Sequence, residues 1–257
     1  MRRLPSRSTT RRVFALAWLV GGIVALAAGW FLLGSRSASG GDTYIEGVLG
    51  QPERVNPLFA QPGTPDADLV ALVFAGLTRS RGDGLPVPDL AESWNVTPDG
   101  LRYTFRLRSA LFWQDGEPLT STDVAFTVAK VQEPGFRGTP GLAAQWSGIS
   151  LETPDDRTAV FTLRAPSAVF LTSATLPLLP AHLLREVTAA DLADASFNQH
   201  PVGAGPYRLT TLTRGRADLE ANANFHRGVP ALHALELRFY RDETALAAAI
   251  ESREVNA

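Results

Sequence analysis

Apolar and polar residues alternate in two short runs in the first half of the chain. The apolar members of the two runs are Trp94, Val96, Tyr103, Phe105 and Leu107. Residues 97–100, Thr-Pro-Asp-Gly, separate the runs. Alternation with a period of two is typical of a half-buried strand, and a Pro-Asp-Gly sequence is typical of a tight turn. The pattern predicts a β-hairpin whose aromatic side chains belong to the core rather than to a ligand site.

A capped helix is predicted shortly after this hairpin. Trp113 and the tight turn at Asp115-Gly116 come first. Thr120 then offers a hydroxyl, and Asp123 follows three residues later, which is the pattern of a capping box. The apolar side of the helix is formed by Val124, Phe126, Val128 and Val131.

The rest of the body predicts further strands and helices. We expect strands at 44–49, 159–164, 207–209, 216–221 and 235–240, the second of them closing a hairpin whose turn is 153–156. We expect helices at 66–76, 165–175 and 180–187, and a last one that is capped by Asp242 or Thr244. The glycines of PVGAGPY at 201–207 predict a close approach of two backbones. The predicted fold class is α/β, of the mixed α+β kind.

The N-terminal part of the chain predicts a membrane segment. Residues 13–34 are uncharged and mostly apolar, and as a helix at about 1.5 Å per residue they could cross a bilayer core of about 30 Å. Because the flanking arginines lie mainly on the N-terminal side, residue 1 is expected in the cytoplasm. A signal peptide cut near 37–39 is the alternative, and the pair Arg11-Arg12 fits either a twin-arginine signal or an ordinary basic region. We predict a tip, membrane segment and spacer at 1–41, and a folded body at 42–257.

Composition narrows the classes of function. The chain has 257 residues, 45% hydrophobic and 19% charged, which is typical of a globular protein. Six arginines are the only charged residues before Asp42, and removing them from the net charge of −2 leaves −8 for the body. An acidic body with a single lysine, Lys130, argues against nucleic-acid binding. The absence of cysteine excludes disulfides and thiolate chemistry.

No catalytic motif of fixed spacing occurs in the sequence. The four histidines, His182, His200, His226 and His233, lie in separate segments, so structural or surface roles are expected for them. The carboxylates of Asp99, Asp115, Glu117 and Asp123 are close in sequence, but turns and a helix cap account for them. We therefore predict no enzyme, no metal site and no cofactor.

Several motifs, in order, resemble the extracellular solute-binding proteins of family 5, the oligopeptide- and dipeptide-binding proteins of ABC importers. They are NPL at 56–58, FAGLT at 74–78, PDLAESW at 88–94, PDGL at 98–101, YTFRLR at 103–108, Trp113, DGEPLT at 115–120, DV at 123–124, PVGAGPY at 201–207 and the segment 250–255. The chain departs from the family pattern at Ala204, where threonine is usual, at Ser252-Arg253 in place of glycine, and at Asn256 in place of aspartate.

The resemblance implies the first lobe of a two-lobed clamp of the type II periplasmic-binding-protein kind, with the second lobe missing. It implies capture of peptides, or of related solutes such as nickel complexes or sugars, for the permease subunits of an ABC importer. The expected location is the outer face of the cytoplasmic membrane, and a monomer is expected. The alternatives are a truncated fragment or adaptor that retains this lobe, and a secreted hydrolase with an unrecognised carboxylate pair.

The resemblance also suggests ligand-facing residues. They are Gln51, Pro52 and Glu53 after the first strand, Phe74, Gly76 and Leu77 at the FAGLT turn, and Trp146. Trp146 fits a cleft wall and the core equally well. The acid that pairs with a peptide's amino group in peptide-binding members would lie in the missing lobe.

Overall fold

The computed structural model describes residues 43–257, which alternate between strands and helices. The strands are β1 (Thr43–Leu49), β2 (Thr78–Ser80), β3 (Pro86–Pro88), β4 (Ala91–Val96), β5 (Arg102–Leu107), β6 (Ser150–Asp155), β7 (Thr158–Thr162), β8 (Tyr207–Leu212), β9 (Arg216–Ala221) and β10 (Ala234–Tyr240). The helices are α1 (Pro65–Val73), α2 (Ser121–Gln132), α3 (Leu142–Trp146), α4 (Phe170–Ser173), α5 (Ala181–Leu184) and α6 (Glu243–Glu251). Two 3₁₀ turns cover Leu192–Asp194 and Ser196–Gln199.

The first sheet has four strands in the order β1-β10-β9-β8. β1 is parallel to β10, whereas the other two pairs are antiparallel. Helix α6 packs against β1 and β10, and α1 packs against β8. Asp242 caps α6 by accepting the Ala245 N–H at 2.9 Å. Of the two predicted caps, Asp242 and Thr244, the first is therefore the one that forms. The segment that leaves the end of β1 therefore starts from a strand that is held by a neighbouring strand and a helix.

The second sheet has four antiparallel strands in the order β4-β5-β7-β6 and contains both predicted hairpins. In the first hairpin, Gly100 has a φ of 69° and donates its N–H to the Thr97 carbonyl at 2.8 Å. The second turn was predicted at 153–156, but β6 runs on to Asp155 and the turn lies at Asp156-Arg157. The Asp155 carboxylate fixes it there by accepting the Arg157 N–H and the Thr158 hydroxyl, each at 2.8 Å.

An aromatic cluster fills the core beside this sheet. Phe161 lies at its centre, with ring centroids 5.6 Å from Phe105, 5.3 Å from Phe170 and 5.9 Å from Trp146. Rings at such separations, tilted or edge to face, are favourable beyond the area they bury. Helix α2 packs against β6 and β7, and its capping box forms between Thr120 and Asp123 as predicted. Tyr103 and Phe105 of the hairpin are thus core residues, and Trp94 is half-buried against the core.

Three predicted helices are shorter than their sequence patterns suggest. Helix α1 ends at Val73 rather than Gly76, because the Val73 carbonyl accepts the Gly205 N–H at 2.8 Å and the chain turns extended at Phe74. Helix α4 covers only Phe170–Ser173 of the predicted 165–175, and the Ser167 carbonyl before it accepts the Tyr103 hydroxyl. Helix α5 covers only Ala181–Leu184 of the predicted 180–187.

The PVGAGPY segment joins the two sheets through Gln114. The Gln114 amide donates to the Tyr207 carbonyl at 2.8 Å and to the Val73 carbonyl at 3.2 Å, and its oxygen accepts the Gly203 N–H at 3.0 Å. A β-carbon at Gly203 or Gly205 would overlap the backbone of Val73. The predicted close approach of two backbones is confirmed, and it explains why both positions are glycine.

None of the helices within residues 43–257 has the length and apolar character needed to cross a membrane. The segment predicted to do so, residues 13–34, lies outside the described residues, as does the rest of the predicted tip and spacer.

Candidate ligand-binding site

Residues Gln51, Pro52 and Glu53 form a short exposed loop, the 51–53 loop, just beyond the end of β1. Gly50 makes the bend, with a φ of 103°, and its N–H donates to the Tyr240 carbonyl of β10 at 2.8 Å. The residues at 51 and 53 are exposed, and Pro52 is half-buried. Within residues 43–257, the Gln51 N–H and the Pro52 carbonyl make no hydrogen bond. As far as the described part of the chain goes, the loop therefore presents an unused donor, an unused acceptor and a carboxylate.

The first turn of α1 holds this loop in place. One Asp66 carboxylate oxygen accepts the N–H of Glu53 at 2.8 Å and that of Arg54 at 3.1 Å. From the other side, the Gln199 amide donates to the Glu53 carbonyl at 3.2 Å. Burial raises the pKa of Asp66 above its ordinary value, although both backbone donors act in the opposite direction. These contacts fix the backbone of the loop without using the Glu53 side chain.

A buried pair of amides lies directly behind the loop. Asn56 is fully buried, and its side chain donates to the Asn198 side-chain oxygen at 2.9 Å. The Val55 N–H donates to the Asn198 carbonyl at 3.0 Å, and the Asn198 amide donates in turn to the carbonyls of Leu192 and Ala193. Buried polar groups that are satisfied in this way make a segment rigid. The residues that directly follow the 51–53 loop are therefore rigid.

The 51–53 loop separates two open cavities. One has a volume of about 420 Å³, and its walls include Arg54, Phe59, Asp66 and Arg137. The other has a volume of about 570 Å³ and is lined by the loop together with Gln199 and residues 212–214. Cavities of 300 to 1,000 Å³ are the usual size of small-molecule sites. The first cavity carries both acidic and basic side chains, so it suits a solute that bears both charges.

The structure does not bring the other predicted ligand residues to this loop. Phe74, Leu77 and Trp146 are only 3%, 2% and 2% exposed, respectively, and each belongs to the hydrophobic core. Gly76 packs against the Thr175 carbonyl, with which any side chain at this position would collide. Phe74 and Gly76 also reach the wall of a third, smaller cavity.

Sequence reasoning missed the residues that hold the loop. Asp66 was expected near the start of α1, but its contact with residues 53 and 54 has no local signal. Asn198 and Gln199 lie in a polar, weakly patterned stretch more than 140 positions away from Asn56 and Glu53. Two histidines that were assigned structural roles lie within hydrogen-bonding distance of carboxylates, His182 of Asp115 and His226 of Asp89, each at 2.7 Å. Within residues 43–257, no group of three or more His, Asp or Glu side chains could hold a metal ion.

Comparison with known proteins assigns the family. Residues 86–257 match the bacterial extracellular solute-binding proteins, family 5, middle region. The chain belongs to this family. The resemblance that the sequence motifs suggested is therefore confirmed, and the family consists of extracellular solute-binding proteins rather than enzymes.

Individual family 5 proteins share both sequence and fold with the chain. The oligopeptide-binding protein AppA of Bacillus subtilis is 29% identical over 227 residues, which cover 86% of this chain and 41% of AppA. NikZ of Campylobacter jejuni, solved in complex with Ni(L-His), has a TM-score of 0.76 and 28% identity, and the match covers 83% of this chain and 42% of NikZ. AgaA of A. tumefaciens R10, solved with agropinic acid, has a TM-score of 0.73 and 32% identity, with 83% and 43% coverage.

The extent of these matches agrees with a single lobe. The chain spans less than half the length of the curated relatives that it matches. The solved family 5 proteins are matched over about the same fraction. The predicted fold class, the first lobe of a type II periplasmic-binding-protein clamp, is confirmed by these structures.

Proposed function

We propose that this family 5 chain is the first lobe of an extracellular binding protein that captures peptides or similar small solutes for an ABC importer. The observation that carries the proposal is the 51–53 loop, whose free backbone groups and carboxylate lie between two cavities of ligand size on a family 5 fold. The mixed charges of the first cavity suit a zwitterionic solute such as a peptide.

The contact proposed for the ligand is an extended chain segment laid along the loop. The Gln51 N–H and the Pro52 carbonyl would pair with its backbone, and Glu53 would attract a positive group. Asp66 and Gln199 support this role because they fix the loop before any ligand arrives, which lowers the entropy lost on binding. Of the remaining predicted residues, Phe74, Gly76, Leu77 and Trp146 are proposed to support the lobe rather than to touch the ligand.

Thermal unfolding of the full chain with a peptide library tests the proposal. A saturable rise in melting temperature is expected for part of the library, since a ligand that binds only the folded state stabilises it. The Glu53→Gln variant should lower the affinity for cationic peptides up to about 5-fold, as expected for a single exposed charge contact. Glu46→Gln is the matched control, because Glu46 is also exposed but lies on β1. No stabilisation by any peptide, or equal effects of both variants, would contradict the proposal.

We further propose that residues 13–34 anchor the lobe at the outer face of the membrane, that the folded body begins at residue 42, and that the protein acts as a monomer. The mass of the mature N-terminus in isolated membranes tests the anchor, and light scattering of the purified chain tests the monomer. A mature N-terminus near residue 38 would replace the anchor by a cleaved signal peptide.

A further inference from the structure

A third cavity lies where the end of α1, strand β2 and the loop after β9 meet, and we call it the Arg79 cavity. It has a volume of about 240 Å³. Its walls include Phe74, Arg79, Asp89, Phe225 and Arg227. No residue of the 51–53 loop contributes to it, so it is separate from the site of the proposed function.

The single acidic residue in this wall, Asp89, already has a histidine and an arginine as partners. One Asp89 carboxylate oxygen lies 2.7 Å from His226 Nε2 and 3.3 Å from Arg227 Nε. The side chains of Asp89 and His226 are only 7% and 5% exposed. The Asp89 carbonyl also accepts the Arg108 Nε–H at 2.6 Å, which fixes this residue further. The charge of Asp89 is therefore balanced within the wall and is not available to neutralise another cation.

Arg79 is the charge in the wall that lacks a partner. Its Nε–H is buried without a hydrogen-bond acceptor, and its guanidinium makes no ion pair with any residue of the described range 43–257. The backbone of Arg79 is held in β2 by pairing with Val87 of β3, so the side chain starts from a fixed position. A buried donor without an acceptor is unfavourable, and a guanidinium binds planar oxyanions best because two parallel N–H groups match two oxygens.

The shape and lining of the cavity limit the size and class of the oxyanion. A water molecule occupies about 30 Å³ in the liquid, so the volume of about 240 Å³ has room for about eight non-hydrogen atoms of a ligand. Phe74, Pro177, Pro206 and Phe225 supply apolar surface beside the two arginines. An inorganic ion would leave this surface wet, whereas an organic acid with a short tail would cover it.

We propose that the Arg79 cavity binds the carboxylate group of a small organic acid. Arg79 is the anion-binding group, and Arg227 is the second cationic wall, which Asp89 and Phe225 hold in position. The carboxylate belongs either to a free short-chain acid or to the C-terminus of a short peptide. The site goes beyond the proposed function and does not require the 51–53 loop.

The test uses the full chain, purified in detergent because residues 13–34 are apolar, and sodium propionate as the probe. The melting temperature should rise saturably with propionate in the millimolar range, since a ligand with so few atoms binds weakly. Sodium chloride at the same ionic strength should not reproduce the rise. In nitrogen-15 NMR spectra, the Arg79 Nε–H signal should shift as the site fills. A cavity that holds only water would leave this signal unmoved by propionate and by Ala-Ala alike, and that result would overturn the proposal.

Variants assign the effect to the cavity. Arg79→Gln should weaken propionate binding about 10-fold or more, because a hydrogen-bonded charge contact is lost. Its melting temperature without propionate should match or exceed that of the wild type, since the Arg79 guanidinium has no ion-pair partner within residues 43–257 to lose. Arg241→Gln makes the same charge change at an exposed position and should leave propionate binding unchanged. Equal propionate responses in wild type and Arg79→Gln would contradict the assignment. If Arg79→Gln does not fold, Arg227→Gln serves as the second test, with weaker propionate binding expected.

Further probes identify the source and class of the ligand. A response to propionate supports a free acid, whereas a response to Ala-Ala without a response to propionate supports a peptide C-terminus. Ala-Ala amide should have no effect in either case, and an equal effect of the amide would overturn the carboxylate assignment, as would equal binding of sulfate. Glu53→Gln should leave propionate binding intact, which separates failure of this site from failure of the proposed function.

Discussion

The second sheet and the 51–53 loop are both firmly held, but they differ in what they leave exposed. In the sheet, the rings of Phe105, Phe161 and Phe170 pack on one another and the turn and cap residues satisfy the nearby backbone. In the loop, Asp66 and Gln199 fix the backbone, while the Gln51 N–H makes no hydrogen bond to any residue between 43 and 257. The strongest sequence signature therefore marks the region that stabilises the lobe, and an inconspicuous loop provides the groups that a ligand could reach.

Emptying the core beside the sheet should have the largest effect on stability. Trp113 is fully buried, so Trp113→Ala should lower the free energy of unfolding by about 3–5 kcal/mol. Chemical denaturation followed by circular dichroism measures this change. Phe112→Ala is the neighbouring control, because Phe112 is 39% exposed and should cost much less. An unchanged denaturation midpoint together with altered binding would reverse the roles assigned to the two regions.

A smaller effect is expected where the two sheets are joined. Gly203→Ala would press a methyl group against the Val73 carbonyl, and overpacking of this kind costs about 1–3 kcal/mol. Gly82→Ala is the control, since a β-carbon there has no atom within 4 Å. Thermal unfolding of both variants tests the difference. If Gly203→Ala and Gly82→Ala had equal melting temperatures, the PVGAGPY segment would be able to move away from the end of α1 at little cost in free energy.

A pH-dependent effect is expected at the end of α2. The Ala189 N–H and then the Lys130 ammonium lower the pKa of Glu133 below its ordinary value. Its stabilisation is therefore complete above the ordinary glutamate pKa of about 4.3 and is lost as the pH falls through the lower folded pKa. Glu133→Gln should cost about 1 kcal/mol at pH 7 and progressively less as the pH falls through the lowered pKa of Glu133.

Denaturation curves at several pH values measure this contribution. Glu186→Gln removes an exposed carboxylate two residues beyond α5 and should show no such difference between neutral and acidic pH. A cost of Glu133→Gln that stays constant with pH would contradict the assigned direction of the pKa shift.

The smallest effect on stability is expected in the loop itself. The Glu53 side chain is exposed and its backbone contacts do not depend on the carboxylate, so Glu53→Gln should change the free energy of unfolding by about 0.5 kcal/mol at most. Peptide binding should nevertheless weaken, as set out above. A large loss of stability would show that the carboxylate supports the fold rather than the ligand.

The parts of the fold that the sequence predicts correctly are those determined by near neighbours. The alternation of Tyr103, Phe105 and Leu107 and the capping box at Thr120 and Asp123 each lie within a few residues, and both form as expected. Several of the family motifs, among them YTFRLR at 103–108 and DGEPLT at 115–120, lie in these same segments. Local patterns therefore established the fold class and the family.

Contacts between distant residues account for what the sequence could not predict. Helix α1 stops at Val73 because the Val73 carbonyl accepts a hydrogen bond from the N–H of Gly205, which lies far along the chain. Trp146 is in the core because Phe161 and Phe170 surround it, and no spacing pattern near Trp146 reveals those partners. The support of the 51–53 loop by Gln199 is equally remote. Each depends on tertiary packing, which overrides or adds to the local pattern.

The bridge formed by Gln114 has a consequence for hydrogen exchange. The N–H groups of Gly203 and Gly205 lie in no strand, yet one donates to the Gln114 side chain and the other to the end of α1. Amides in ordinary loops exchange with deuterium quickly, through small local openings. These two can exchange only when α1, the Gln114 segment and β8 part together, so their protection should report the cooperative opening of the whole lobe.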